Sequence, residues 1–170
     1  NREDIDINAV HGQSGMTALQ LLAWKNGSRS LVVKLLEKKN INVNHRDASG
    51  NTALISAVET KHVPVIRLLL DYPHLRINER NNIGYTALHM AQVFYDSIIS
   101  ELLLHHRHIN VNSFNTVDGC TPLMHSIVHS SVANVLTLLE HPKIDVNVRA
   151  FDGKTALHYA AKAVVLPEAV

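Results

Sequence analysis

The chain has 170 residues, 46% apolar and 18% charged, with a formal net charge of +1. That apolar share excludes a wholly disordered polar chain, and no run reaches the roughly 18 uninterrupted apolar residues of a spanning helix. Near-balance of charge argues against a dedicated nucleic-acid or membrane-surface binder. One cysteine cannot close an internal disulfide, so a reducing intracellular setting, cytoplasmic or nuclear, is expected. No secretory signal is visible in the polar Arg2-Glu3-Asp4, and the first residue, Asn1 rather than Met, predicts a piece cut from a longer protein, from which a leader cannot be judged. Glycine is scarce at 7 and histidine plentiful at 12.

In chain order the first pattern is Ile5-Asp6-Ile7-Asn8, then Gly15-Met16-Thr17-Ala18-Leu19. Both recur. The glycine string returns from Gly50, Gly84, Gly119 and Gly153, at spacings of 35, 34, 35 and 34. The asparagine string returns to end at Asn44, Asn78, Asn112 and Asn147, and leucine-rich stretches at 31–36, 65–70, 98–104 and 132–139 keep the same beat. Three registers in agreement identify one module copied about five times.

Each copy reads as a turn and two short helices. The threonine after the glycine is placed to cap a first helix, and Pro122 stands where a missing N–H costs little. That helix has a small-sided inner face, with Ala18, Ala53 and Ala87 early and Ala23, Ala57, Ala91 and Ala160 late. Breaks fall at Asn26-Gly27-Ser28, Thr60-Lys61-His62, Tyr95-Asp96 and Ser130-Ser131. Pro64 and Pro167 then mark the start of a second helix, which stops before Pro73 and Pro142. The Asn/Asp/Gly segment that follows has the chemistry of an extended hairpin, and the repeated asparagines are expected to bond the hairpin backbone.

The sequence resembles the ankyrin-repeat family, through its period and a Thr-Pro-Leu-His-x-Ala signature matched at Thr86-Ala87-Leu88-His89-Met90-Ala91 and Thr155-Ala156-Leu157-His158-Tyr159-Ala160. The resemblance implies an all-α solenoid of helix-turn-helix units with hairpin loops. In the family that histidine bonds the threonine and ties repeats together, so the copies with Gln20, Ile55 or Met124 should lack one polar link. The family's Gly-His at the inter-helix turn is eroded: only His62 matches the histidine, and Gly27 fits only with a one-residue insertion. The expected organisation is one domain: a tail at 1–8, repeats at 9–44, 45–78, 79–112 and 113–147, and an incomplete repeat at 148–170. Neither end supplies a capping repeat, which again predicts a longer parent.

Two chemical readings compete with simple binding. His105-His106-x-His108 and the His125/His129 pair at i and i+4 have spacings that could suit a metal, but no partner of the His-Glu-x-x-His kind accompanies them. The plainer expectation is loop and surface histidines, those after the third second-helix sitting at its negative end. Cys120 lies beside a hairpin glycine and is expected to be exposed, but Asp118 would raise its thiol pKa, the wrong direction for a nucleophile. No phosphate loop or nucleophile elbow appears. No catalytic residue, metal or cofactor is expected.

What remains is binding. By the resemblance, the residues flanking each hairpin glycine and two residues late in each first helix are free of packing duty and form a concave surface. Those columns contain Met16, Trp24, Lys25, Asn51, Glu59, Ile83, Tyr85, Val93, Phe94, Cys120, His129, Phe151, Asp152 and Lys154. A further column reads Val10, Arg46, Arg80, Phe114, Arg149. Its three arginines form either a ladder for carboxylates or phosphates, or solvated side chains paired with Asp47, Glu79 or Asp152. The expected function is a non-enzymatic, monomeric module holding a protein or peptide partner, acidic and partly apolar, with no nucleic acid. The alternatives are the recognition region of a larger enzyme or of a host-directed bacterial effector acting in host cytoplasm, and a spacer between domains.

Overall fold

The computed structural model describes residues 6–164, with the side chains of the last two excepted. Ile5, Pro167 and the rest of the incomplete last unit beyond 164 therefore lie outside the described residues. A short antiparallel pair, β1 (Val10–His11) and β2 (Met16–Thr17), precedes nine helices in this region. They alternate between a first and a second helix of each unit: α1 (Ala18–Trp24), α2 (Arg29–Leu36), α3 (Ala53–Glu59), α4 (Val63–Leu70), α5 (Ala87–Val93), α6 (Ser97–Leu104), α7 (Pro122–Val128), α8 (Val132–Leu139) and α9 (Ala156–Val164).

The chain divides into two compact units, residues 1–82 and 83–170. In the first, α1 packs on α3 and α2 on α4, around Leu19, Val32, Leu54, Ile66 and Leu69. In the second, α5, α7 and α9 stack in series with α6 and α8 behind them, around Leu88, Ile99, Leu103, Leu123 and Leu138. Isolated helices of seven or eight residues are unstable in water, so this stacking is what makes them helices. The late alanines Ala23, Ala57 and Ala91 are fully buried and let neighbours approach. Ala18, read from the sequence as part of the small inner face, is exposed instead, because no earlier helix covers α1 among the described residues.

Local signals act as expected at the helix starts. Thr17, Thr52, Thr86 and Thr121 each accept from the backbone N–H three residues on, a cap that contributes about 1 kcal/mol. Pro64 sits in the first turn of α4. Each inter-helix turn is closed by a residue with positive φ, and none is glycine: Asn26, Lys61, Tyr95 and Ser130 at φ 51, 56, 55 and 55°. The first unit carries its insertion just after this turn, so that Gly27 closes the turn onto Leu22 and Ser28 separately precedes α2. That extra residue accounts for the first 35-residue spacing. The second arises in the fourth hairpin, where Asn115 pairs with Cys120, five residues on, whereas Asp47 pairs with Asn51 and Ala150 with Lys154.

Successive hairpins are joined by backbone bonds that lie one unit apart in sequence. Ala48 N–H donates to Ser14 O at 3.0 Å, Asn82 to Ser49 at 3.0 Å, Thr116 to Ile83 at 3.3 Å and Phe151 to Asp118 at 2.9 Å. This contact makes glycine obligatory twice over at Gly119. Its φ is +75°, and a Cβ there would stand 2.8 Å from the Phe151 amide nitrogen.

The repeated asparagines are structural, but they hold a different backbone from the one expected. Asn44 donates to His74 O and accepts from Arg76 N–H, both at 2.8 Å. Asn8 clamps Asn40 O and Asn42 N–H, and Asn112 clamps Lys143 O and Asp145 N–H, in the same way. Each side chain therefore staples its own unit to the tip of the next. The hairpin-side bond is made by the residue two before: Asp6, Asn42, Asn110 and Asp145 each accept the asparagine's own N–H.

Candidate protein-contact face

In the first unit, the late end of α1 presents Trp24, 46% exposed, and Lys25 to solvent. Met16 and Asn51 are half-buried on the hairpins, and Asn51 Oδ1 accepts from Asn81 Nδ2 at 3.1 Å. Glu59 is half-buried at the end of α3; burial first, then the Asp47 charge, raises its carboxyl pKa. Arg46 folds back across its own hairpin to donate to Gly50 O and to Asn82 Oδ1, each at 3.3 Å, and Arg80 is half-buried. In the second unit Arg149 repeats the fold-back, donating to Gly153 O at 2.7 Å. Hairpin carbonyls, rather than the acids suggested from sequence, thus engage Arg46 and Arg149. Glu79 pairs with Arg76, and Asp152 with Lys154 at 2.6 Å.

The second unit gathers the rest of the columns. Val93 and Phe94 close α5 and are half-buried. Tyr85, also half-buried, stacks on His89 at 5.5 Å and meets His125 edge-on at 5.0 Å. His129 stacks on His125 at 6.0 Å and shares a 3.4 Å hydrogen bond with Tyr95 Oη. Tyr95, 59% exposed at its turn, lies outside the columns read as contact positions; its one signal in sequence is a large aromatic in place of the turn glycine. The hairpin tips carry exposed apolar groups: Ile83 at 48%, Phe114 at 44%, Val117 at 66% and Phe151 at 64%. Phe114 and Phe151 meet edge to face at 6.2 Å, and the backbone bonds from Thr116 to Ile83 and from Phe151 to Asp118 set these tips side by side.

A family model described as ankyrin repeats (3 copies) matches residues 2–81 and again residues 73–150. The chain belongs to the ankyrin-repeat family. No curated protein matches it. Ankyrin repeats generally act as protein–protein interaction modules and are typically non-catalytic. Among the described residues no helix is long and apolar enough to cross a membrane.

The family histidine does the work its signature implies. His89 Nδ1 accepts from Thr86 N–H at 3.2 Å, so the proton sits on Nε2, which donates to Cys120 O at 3.2 Å. The expectation that units without this histidine lose the link is wrong for the first ankyrin unit. Gln20 accepts from Thr17 N–H at 2.9 Å and donates to Asn51 O at 2.7 Å, because a glutamine offers an acceptor and a donor at the same reach. Met124 supplies only a 3.5 Å sulfur contact to Thr121 N–H.

Cys120 also departs from expectation. It is 2% exposed, so it cannot be a contact residue of the face, because the following unit covers it: its thiol donates to Tyr159 Oη at 3.4 Å. Burial first, then Asp118, pushes the thiol up to about 11, and His89 reaches its carbonyl rather than its sulfur. A thiol so protonated is no nucleophile at neutral pH. Among the described residues no three His, Cys, Asp or Glu side chains come together to hold a metal ion. In the loop after α6, burial first, then His108 and Arg107, lowers the His106 pKa, so this ring is a weaker cation than its place at a helix end suggests.

Proposed function

We propose that this ankyrin-repeat chain is a non-catalytic module that binds a protein or peptide through its hairpin tips and the late ends of its first helices. In the second unit the contact centres on Ile83, Phe114, Val117 and Phe151. What carries this reading is their combined exposure at 44 to 66% on hairpins whose backbone is already hydrogen-bonded to its neighbours. A contiguous apolar row with an aromatic pair is the composition of an interface centre. Arg149 at one edge of the row adds a partial preference for carboxylates, which fits an acidic, partly apolar segment. In the first unit Trp24, Lys25, Arg46 and Arg80 supply the corresponding aromatic and basic contacts.

The reading is tested by selecting peptides from a displayed random library against the 170-residue chain and re-measuring each against Ile83→Ser/Phe151→Ser. The selected peptides should be rich in apolar residues flanked by Asp or Glu and should bind the variant at least tenfold more weakly. Equal binding to both proteins would refute the contact centre. Circular dichroism of the variant, unchanged from the parent, separates lost contact from lost fold.

A further inference from the structure

The fourth hairpin is held differently from the others, and a buried histidine holds it. Asn115, fully buried, fills the extra residue of that hairpin. Its Oδ1 accepts the N–H groups of Val117 at 2.9 Å and Asp118 at 3.0 Å. Its Nδ2 donates once to Asp118 Oδ1 at 2.8 Å and once toward His125 Nε2 at 2.9 Å. These four partners fix the amide. Turned over, it would set its NH2 against two N–H donors and its oxygen against a carboxylate. With Nδ2 donating, His125 Nε2 must be an acceptor, so the ring is neutral with its proton on Nδ1.

A proton added to Nε2 would face an N–H donor at hydrogen-bond distance inside a buried site. We propose that His125 is a proton-operated latch: neutral, it locks Asn115 and the hairpin from Asn115 to Cys120; protonated, it releases them. The ring is reachable by protons, because His125 lines an open groove of about 570 Å³ with Asp118, Val128, Ser130 and Tyr159.

Every element packed on α7 bears on this titration. From α5 comes His89, at 5.7 Å, with Tyr85 just before it. The hairpin supplies Asp118, whose charge favours the protonated ring, and the buried thiol of Cys120. Tyr159 and Lys162 of α9 line the same groove, while Asp152 and Lys154 of the next hairpin neutralise each other. His129 stands one turn along α7, and α8 (Val132–Leu139) carries no titratable side chain. Burial first opposes the proton, Asp118 favours it and His129 opposes it, and the net effect lowers the His125 pKa. The lock is therefore complete above the free-histidine value of about 6.5 and weakens as pH falls from there toward the folded value. Over that window the open-to-closed ratio rises by up to about tenfold per pH unit.

Two measurements on the 170-residue chain test the latch. Long-range nitrogen–proton NMR at pH 7.5 should find His125 neutral, with the proton on Nδ1; an imidazolium or an Nε2–H ring would overturn the assignment without any variant. Amide exchange at Val117 and Asp118, corrected for its intrinsic pH dependence, should lose protection, by up to about tenfold, between pH 7.5 and 5.5. His125→Gln keeps an acceptor opposite Asn115 but cannot titrate, so its protection there should stay flat. Equal loss of protection in the parent and in His125→Gln would overturn the proposal, as would parent protection that does not change with pH.

Discussion

Removing one asparagine from each of three equivalent positions separates two accounts of why this residue recurs. Asn44→Ala deletes two bonds of 2.8 Å, to His74 O and from Arg76 N–H. Each is worth about 1 kcal/mol net. Both backbone partners lie at an exposed loop tip, where water can replace the lost side chain, so no buried unsatisfied group adds to the cost. The expected loss is about 1–2 kcal/mol. Asn112→Ala, which frees Lys143 O and Asp145 N–H, should cost the same. Asn147 occupies the same place in its unit, yet its side chain has no hydrogen-bond partner among the described residues. Asn147→Ala should therefore cost under about 0.5 kcal/mol, as for an ordinary surface change. Urea unfolding followed by circular dichroism reads all three. Trp24, the single tryptophan, reports on the Asn44 unit by fluorescence. With a slope of about 1–3 kcal/mol per molar, the Asn44 loss moves the midpoint by roughly 0.3–2 M. Equal losses at all three positions would refute the staple and return the asparagine to its own hairpin.

The inter-helix turns invite the reverse experiment. Lys61 is exposed at φ 56°, so Lys61→Gly should raise stability by about 0.5–1 kcal/mol, as a higher melting temperature; a decrease would mean the lysine makes a contact that outweighs its strain. Cys120, buried with its thiol at about 11, should resist alkylation at pH 7.5 in the folded chain and react within minutes in urea. Comparable rates in both conditions would show that the second unit opens readily.

Much of this architecture can be read directly from residues because its causes are local and repeated. A threonine cap, a proline in a first turn and a glycine at positive φ each act within four residues, and recurrence at 34 to 35 residues makes them legible above noise. The candidate face was legible only as columns. Trp24, Ile83 and Phe151 do stand exposed, whereas Cys120, in an equally free column, is roofed by Tyr159 of the next unit. Tyr95 escaped notice because its exposure follows from a strained turn rather than from a packing register.

By itself the sequence determined the module, its helix boundaries and its family, since these depend on short-range chemistry copied many times. Tertiary structure alone decided which backbone each conserved-looking side chain would meet. Gln20 substitutes for a histidine because Asn51 O arrives at the right distance, and Asn44 reaches past its own hairpin because the next tip lies against it. His125 is neutral because Asn115 points a donor at it. Hydrogen bonds of this kind turn on a few tenths of an ångström between segments that lie 10 to more than 30 residues apart, a separation that only the stacked chain closes.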